Sequence, residues 1–257
     1  MNLRNPKCKL SSVAAAITLA AILCWPGGGP RTLPIAYASP SAIPRNSRTY
    51  TTTFPLTESP ISERDNWVNG KVVGLDWADV ATIPGLAYGL ESGNNGYDDS
   101  TALLGGSWSP NQMAEATVHT VNQDDNISEE VELRLRSSLS AHRNTGYEIN
   151  FRCSKTPNAY AQIVRWNGPL AKFTYLITGR GSRYGVRDGD VVKATIIGNV
   201  ITAYINGVQI LQATDNTYTS GNPGMGFFLQ GATGVNRDYG FTRFSASDGL
   251  KGSPRAY

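Results

Sequence analysis

Residues 129–138 read EEVELRLRSS and place Glu130, Glu132, Arg134 and Arg136 at every second position. Side chains of an extended chain alternate between faces. The interleaved Val131, Leu133 and Leu135 therefore turn to a core, and the carboxylates and guanidiniums turn the other way. The pattern repeats at 147–153, where Tyr147, Ile149, Phe151 and Cys153 share one parity and Glu148, Asn150 and Arg152 the other. Antiparallel pairing of 147–153 with 130–137 would put Glu148, Asn150 and Arg152 beside Glu132, Arg134 and Arg136. In 160–166, Ala161 and Ile163 read as inward, which turns Tyr160, Gln162, Val164 and Trp166 outward. The outer face then has two readings. It is a solvated sheet face, whose Glu/Arg cross-strand pairs stabilise by about 0.2–1 kcal/mol each, or it is a ligand groove. The groove reading makes Arg134, Asn150, Arg152, Tyr160, Gln162 and Trp166 the ligand contacts. Amides and guanidinium forks bond hydroxyls and carboxylates, and aromatic planes cover the apolar face of a sugar ring. A one-residue slip in register would reverse this assignment.

Other chemistry is sparse. The two histidines, His119 and His142, are too few for a zinc centre built with cysteine. No G-x-S-x-G nucleophile turn is present, so no catalytic residue is assigned. Cys153 continues the inward parity of Ile149 and Phe151 and reads as a buried, inert thiol. Calcium is the one cofactor left open and no metal ligand is assigned. Residues 94–99 (NNGYDD), 123–126 (QDDN) and 188–190 (DGD) are oxygen-rich turns of the kind that hard cations use. Arg180-Gly181-Ser182-Arg183 lies between strands and reads as a turn.

These residues need strands to position them, and the chain supplies little else. No segment sustains a helical period. Short β-rich runs punctuated by Gly, Asn and Asp span 112–121, 129–137, 147–153, 160–166, 173–178, 191–197, 200–205, 208–211, 224–230 and 239–246. Asn206-Gly207 between two apolar runs is a type I′ hairpin signal. The fold class is therefore all-β, a two-sheet antiparallel β-sandwich or jelly roll. Residues 54–108 hold Trp67, Trp77 and Trp108 among many glycines and read as short strands mixed with long loops.

The N-terminus reads as an export signal over residues 1–38. Arg4, Lys7 and Lys9 precede the apolar run 13–25, too short to span a bilayer, and Ala36-Tyr37-Ala38 has the small-x-small pattern of a cleavage site. Cys24 is preceded by Ile22 and Leu23, where a lipoprotein signal wants small residues. Residues 39–50 are rich in Ser, Pro and Arg and read as a linker, followed by one domain over 51–257. The net charge of +3 belongs to the leader: without its four basic residues, 19 basic face 20 acidic ones. That balance argues against a nucleic-acid partner. Removal of the leader leaves Cys153 as the single cysteine, so the fold needs no disulfide. The expected location is secreted, extracellular or cell-surface, without stable membrane insertion.

Residues 129–247 resemble the concanavalin A-like lectin/glucanase superfamily. The carriers are VELRLR, GYEINFR, AQIVRWNG, DGDVVKATIIGNVITAYINGVQIL and GNPGMGFFLQ. The ending YGFTRFSAS is similar to laminin-G-like modules and 3-keto-disaccharide hydrolase-like domains. The resemblance implies a concanavalin A-like sandwich and a polysaccharide or oligosaccharide partner. It does not carry catalysis over. The E-x-D-x-x-E strand of family 16 glycosidases is missing. Val164 stands where alginate lyases of this fold have histidine, although Glu132, Arg134 and Gln162 would match their first two motifs. The expected function is non-catalytic glycan binding. A polysaccharide lyase or glycoside hydrolase in the same groove is the alternative, and a structural or adhesion module the third option.

Overall fold

The computed structural model describes residues 47–93, 96–231 and 235–250. The expected leader, with Cys24 and the Ala36-Tyr37-Ala38 pattern, lies outside the described residues. So do Asn94 and Asn95 of the first oxygen-rich turn. No helix among the described residues is long and apolar enough to cross a membrane.

The chain is all-β. Its strands are β1 (Thr49–Thr52), β2 (Trp67–Asn69), β3 (Val80–Ile83), β4 (Leu86–Gly89), β5 (Ser100–Leu104), β6 (Gln112–Thr120), β7 (Ser128–Ser140), β8 (Arg143–Arg152), β9 (Tyr160–Gly168), β10 (Phe173–Arg180), β11 (Val191–Ile197), β12 (Val200–Ile205), β13 (Val208–Thr214), β14 (Asn222–Gln230) and β15 (Tyr239–Asp248). They form two antiparallel sheets. One runs β13-β12-β11-β6-β15-β4-β3, with β1 added on β15, and the other runs β10-β9-β8-β7-β14-β5-β2. The two-sheet jelly-roll sandwich expected from the alternation is the fold that the chain adopts.

The core lies between the sheets. Val131, Leu133 and Leu135 of β7, Tyr147, Ile149 and Phe151 of β8, and Ala161 and Ile163 of β9 meet Ala114, Ala116 and Val118 of β6 and Val192, Ala194 and Ile196 of β11 in one buried cluster. On β6 buried and half-buried positions alternate strictly, as a strand with one face in the core and one toward water must. The β12–β13 turn has positive φ at both Asn206 (50°) and Gly207 (77°), the backbone a type I′ turn requires.

Three features depart from the reading of the sequence. Pairing starts at Thr49, opposite Ser247, so the last two residues of the span read as linker are strand. The β7–β8 ladder shifts between Leu135 and Ser138, and Arg136 has φ of 46°. That bulge turns Arg136 off the charged face, and its guanidinium donates to the carbonyls of Pro110, Tyr218 and Gly198. Third, the outer face of β7–β9 is only partly open to water, because Trp77 and Asp99 of the 54–108 region pack over Trp166 and Arg134.

Candidate functional site

The register of β7 to β10 lines up the polar positions in rows across the seven-stranded sheet. Glu132 faces Asn150, Asn150 faces Gln162, and Gln162 faces Thr178. Arg134 faces Glu148, Glu148 faces Val164, and Val164 faces Tyr175. Glu130 faces Arg152, Tyr160 faces Arg180, and Trp166 faces Phe173. The antiparallel pairing and parity that brought these residues together on paper therefore hold in space. Above the rows is a cavity of about 220 Å³, lined on the floor by Glu130, Glu132, Glu148, Asn150, Tyr160 and Gln162.

Arg134 is the centre of the floor but not part of its surface. It is fully buried and forms ion pairs with Glu132, with Glu148 Oε2 at 2.7 Å and with Asp99 Oδ2 at 3.6 Å. Asp99 enters from the residue before β5, in the segment that closes over the sheet. The cover is tied down by backbone bonds from Gly70 to Thr101, from Ala78 to Asp98 and from Thr101 to Ala78. Trp77, buried completely, packs edge-on against Trp166 at 5.3 Å between centroids. An outer-face arginine open to a ligand was expected. Instead the covering segment removes Arg134 from solvent, and three carboxylates hold it as an internal counter-ion.

Arg152 is also drawn away. Its guanidinium donates to Ser128 Oγ at 2.8 Å, to the Asp125 carbonyl at 3.2 Å and to the Ile127 carbonyl at 2.5 Å, which fixes the turn before β7. It does not line the cavity. The other four expected contacts do: Asn150, Tyr160, Gln162 and Trp166. Tyr160 donates its hydroxyl to Glu130, and Trp166 donates its indole N–H to Glu148. Asn150 Nδ2 donates to Glu148 Oε1 at 3.0 Å and to Gln162 Oε1 at 3.1 Å.

Burial governs the protonation of the carboxyls. Desolvation pushes Asp99 and Glu132 well above the carboxylate range, helped by the charge of Glu148 and opposed by Arg134. Desolvation raises Glu130 to about 7, against the lowering effect of the Tyr160 hydrogen bond. Desolvation and the neighbouring Glu130 push the Tyr160 phenol up, away from ionisation.

The side wall was missed in the sequence. Tyr97, Phe173, Tyr175 and Phe228 line the cavity beside Trp166. Phe173 meets Trp166 at 5.2 Å, Tyr175 at 5.2 Å and Tyr97 at 5.1 Å, and Tyr97 stacks on Phe228 at 6.3 Å. Tyr97 (44%) and Tyr175 (53%) remain exposed. Phe173 and Tyr175 share a parity in 173–178, so strand alternation could have found them. Tyr97 and Asp99 sit in a loop whose path no local pattern specifies. Arg180 stands at the rim, its guanidinium 5.9 Å from the Tyr160 ring centre.

Asp99, Glu132 and Glu148 offer carboxylate oxygens within 4.8 Å of one another, the one candidate metal cluster among the described residues. This set does not fit a calcium ion, because the Arg134 guanidinium already supplies the positive charge among them. The remaining oxygen-rich turns are engaged otherwise. The Asp125 carboxylate accepts from Ser154, Thr156 and Asn158, Asp188 from His119 and the Thr120 amide, and Asp190 from Asn206 and the Arg187 amide.

Fold and site together define a two-sheet antiparallel jelly-roll sandwich with an acid-floored, aromatic-walled groove on its seven-stranded sheet. The chain is similar to carbohydrate binding module CBM66 from Bacillus subtilis at 15% identity and a TM-score of 0.48, covering 65% of this chain and 92% of that one. It is similar to the metal-free carbohydrate recognition domain of Emp46p at 12% identity and a TM-score of 0.48, covering 72% and 89%. Crh5 transglycosylase in complex with NAG is similar at 11% identity and a TM-score of 0.46, covering 79% and 84%. At such values no residue role passes from them to this chain. No protein-family model and no curated protein matches the sequence.

Proposed function

We propose that this chain is an exported glycan-binding protein whose groove takes a segment of extracellular polysaccharide. The observation that carries the reading is the pairing of an exposed aromatic wall, Tyr97 and Tyr175 over Phe173, with a floor of amides and carboxylates in one cavity. Aromatic faces cover the apolar side of a pyranose and the floor bonds its hydroxyls. Export rests on the leader, and intact-mass analysis of secreted protein should find an N-terminus near Ser39. Recovery of full-length chain in membranes would count against it.

The test of binding is affinity electrophoresis on gels carrying neutral, amino and uronic polysaccharides. The protein should be retarded by at least one, and Tyr175→Ala should abolish the retardation while leaving the melting temperature unchanged, because Tyr175 is half exposed. Absence of retardation on all of them returns the protein to the structural-module class.

A second reading, glycoside hydrolysis, is favoured by one observation. Three carboxyls, Glu130, Glu132 and Glu148, line one groove, and burial raises Glu130 to about 7, the range in which a carboxyl can serve as the acid of such chemistry. New reducing ends after prolonged incubation, lost in Glu130→Gln, would establish it. The lyase reading lacks a base: Tyr160 donates to Glu130 and resists ionisation, and neither His119 nor His142 lines the cavity.

A further inference from the structure

We propose that the groove recognises a protonated amine carried by an amino sugar, held between the carboxylate floor and the aromatic wall. This deepens the glycan-binding reading and rests on it.

The first argument is the sign of the unmet hydrogen-bonding demand. Among the residues that line the cavity, the buried side-chain atoms without a partner are Asp99 Oδ1, Glu132 Oε1 and Asn150 Oδ1. All three are acceptors. The Asn150 assignment is forced, because its amide nitrogen is engaged by two acceptors, Glu148 Oε1 and Gln162 Oε1. The buried donors without a hydrogen bond, Trp77 Nε1, Arg134 Nε and Nη1 and Asn144 Nδ2, belong to residues that do not line the cavity. The complementary ligand group is therefore rich in donors. A hydroxyl brings one donor and its own lone pairs, whereas an ammonium brings three donors and no acceptor.

The second argument is charge. Asp99, Glu130, Glu132 and Glu148 all line the cavity, and Arg180 at the rim is the one basic residue that does. Arg134 and Arg152 lie behind the floor, with their guanidiniums committed to Glu132, Glu148 and Asp99, and to Ser128, Asp125 and Ile127. A uronate carboxylate would meet four carboxyl groups and a single exposed cation there. The third argument is the wall: aromatic faces attract a cation within about 6 Å of the ring centre.

Calorimetric titration of the mature protein with four probes tests the assignment. They are a glucosamine tetramer, an N-acetylglucosamine tetramer, tetragalacturonate and choline, in a neutral buffer, where Glu130 with its pKa of about 7 is partly ionised and the amine is partly protonated. The glucosamine tetramer should bind about ten-fold more tightly than its acetylated counterpart, and tetragalacturonate should give no heat. Glu130→Gln, which keeps a partner for the Tyr160 hydroxyl, should weaken the glucosamine tetramer several-fold. Arg180→Gln, at an exposed position that cannot compromise folding, should strengthen it. Equal or tighter binding of the acetylated tetramer, or tightest binding of tetragalacturonate, overturns the amine assignment but leaves glycan binding standing. Tighter binding of choline keeps the ammonium chemistry and overturns the sugar. Silence from all three sugars overturns this inference together with the glycan-binding reading.

Discussion

Arg134 shows how one residue type changes meaning with its surroundings. Read along the strand it is a surface cation, yet it is fully buried with Glu132, Glu148 and Asp99 around it. Removing one member of such a set strands the others without compensation, at a cost of about 3–5 kcal/mol. Arg134→Ala should therefore lower stability by about that amount in chemical denaturation, the opposite of what an exposed groove residue would do. Cys153 behaves as its parity suggested. It is a free, buried thiol, and burial pushes its pKa well up. Thiol reagents should label it slowly in the native protein and at the rate of a free thiol in denaturant. Rapid native labelling would contradict the burial.

At the scale of elements, β7 and β8 carry both the core and the site, and their two faces are separable. Phe151 lies fully buried between the sheets, so Phe151→Ala should destabilise by about 3–5 kcal/mol. On the opposite face, Gly226 of β14 lets Glu132 and Arg134 approach the sheet. A Cβ at 226 would press on Glu132 and come within 2.9 Å of Arg134 Nη2 and of the Ser100 carbonyl. Gly226→Ala should cost about 1–3 kcal/mol and weaken ligand binding as well, read from melts and titrations of the same preparation. The alternation made the parity of β7, β8 and β9 legible, because one apolar face per strand admits a single solution. The bulge at Arg136 was not, since nothing in LRSS marks an extra residue in the ladder.

For the whole molecule, the buried carboxyls set a pH dependence. Desolvation raises Glu91, Glu129 and Glu130 from 4.5 to about 7 each. Between those values these three groups in the folded chain hold protons that the unfolded chain has released, so their contribution to stability is greatest below 4.5, falls as pH rises, and levels off above about 7. Glu91 is 3% exposed and shifts by enough to contribute about 3 kcal/mol of this loss. It sits apart from the groove, accepting from Ser100 and Tyr239. Glu91→Gln should flatten the fall of the melting temperature between pH 4.5 and about 7 without altering any binding measured at the groove. An unchanged slope would mean that Glu91 ionises freely in the folded protein.

What the sequence determined by itself was the alternation: which residues of each strand face the core, that the fold is all-β, and that Asn150, Tyr160, Gln162 and Trp166 share a surface. These follow from a period of two and the hydrophobic requirement on one face, both local properties. What only the tertiary structure decided was what lies on top of that surface. The chain around Trp77 and Asp99 reaches the sheet from far away in sequence and closes over Arg134, while the turn before β7 captures Arg152. Tyr97 joins Phe173 and Tyr175 to complete the wall. A strand's pattern records that a face is polar, but whether that polarity meets water, an ion pair or a ligand depends on packing between distant segments. Here that packing took Arg134 and Arg152 off the surface of the groove and left its carboxyls and amides there.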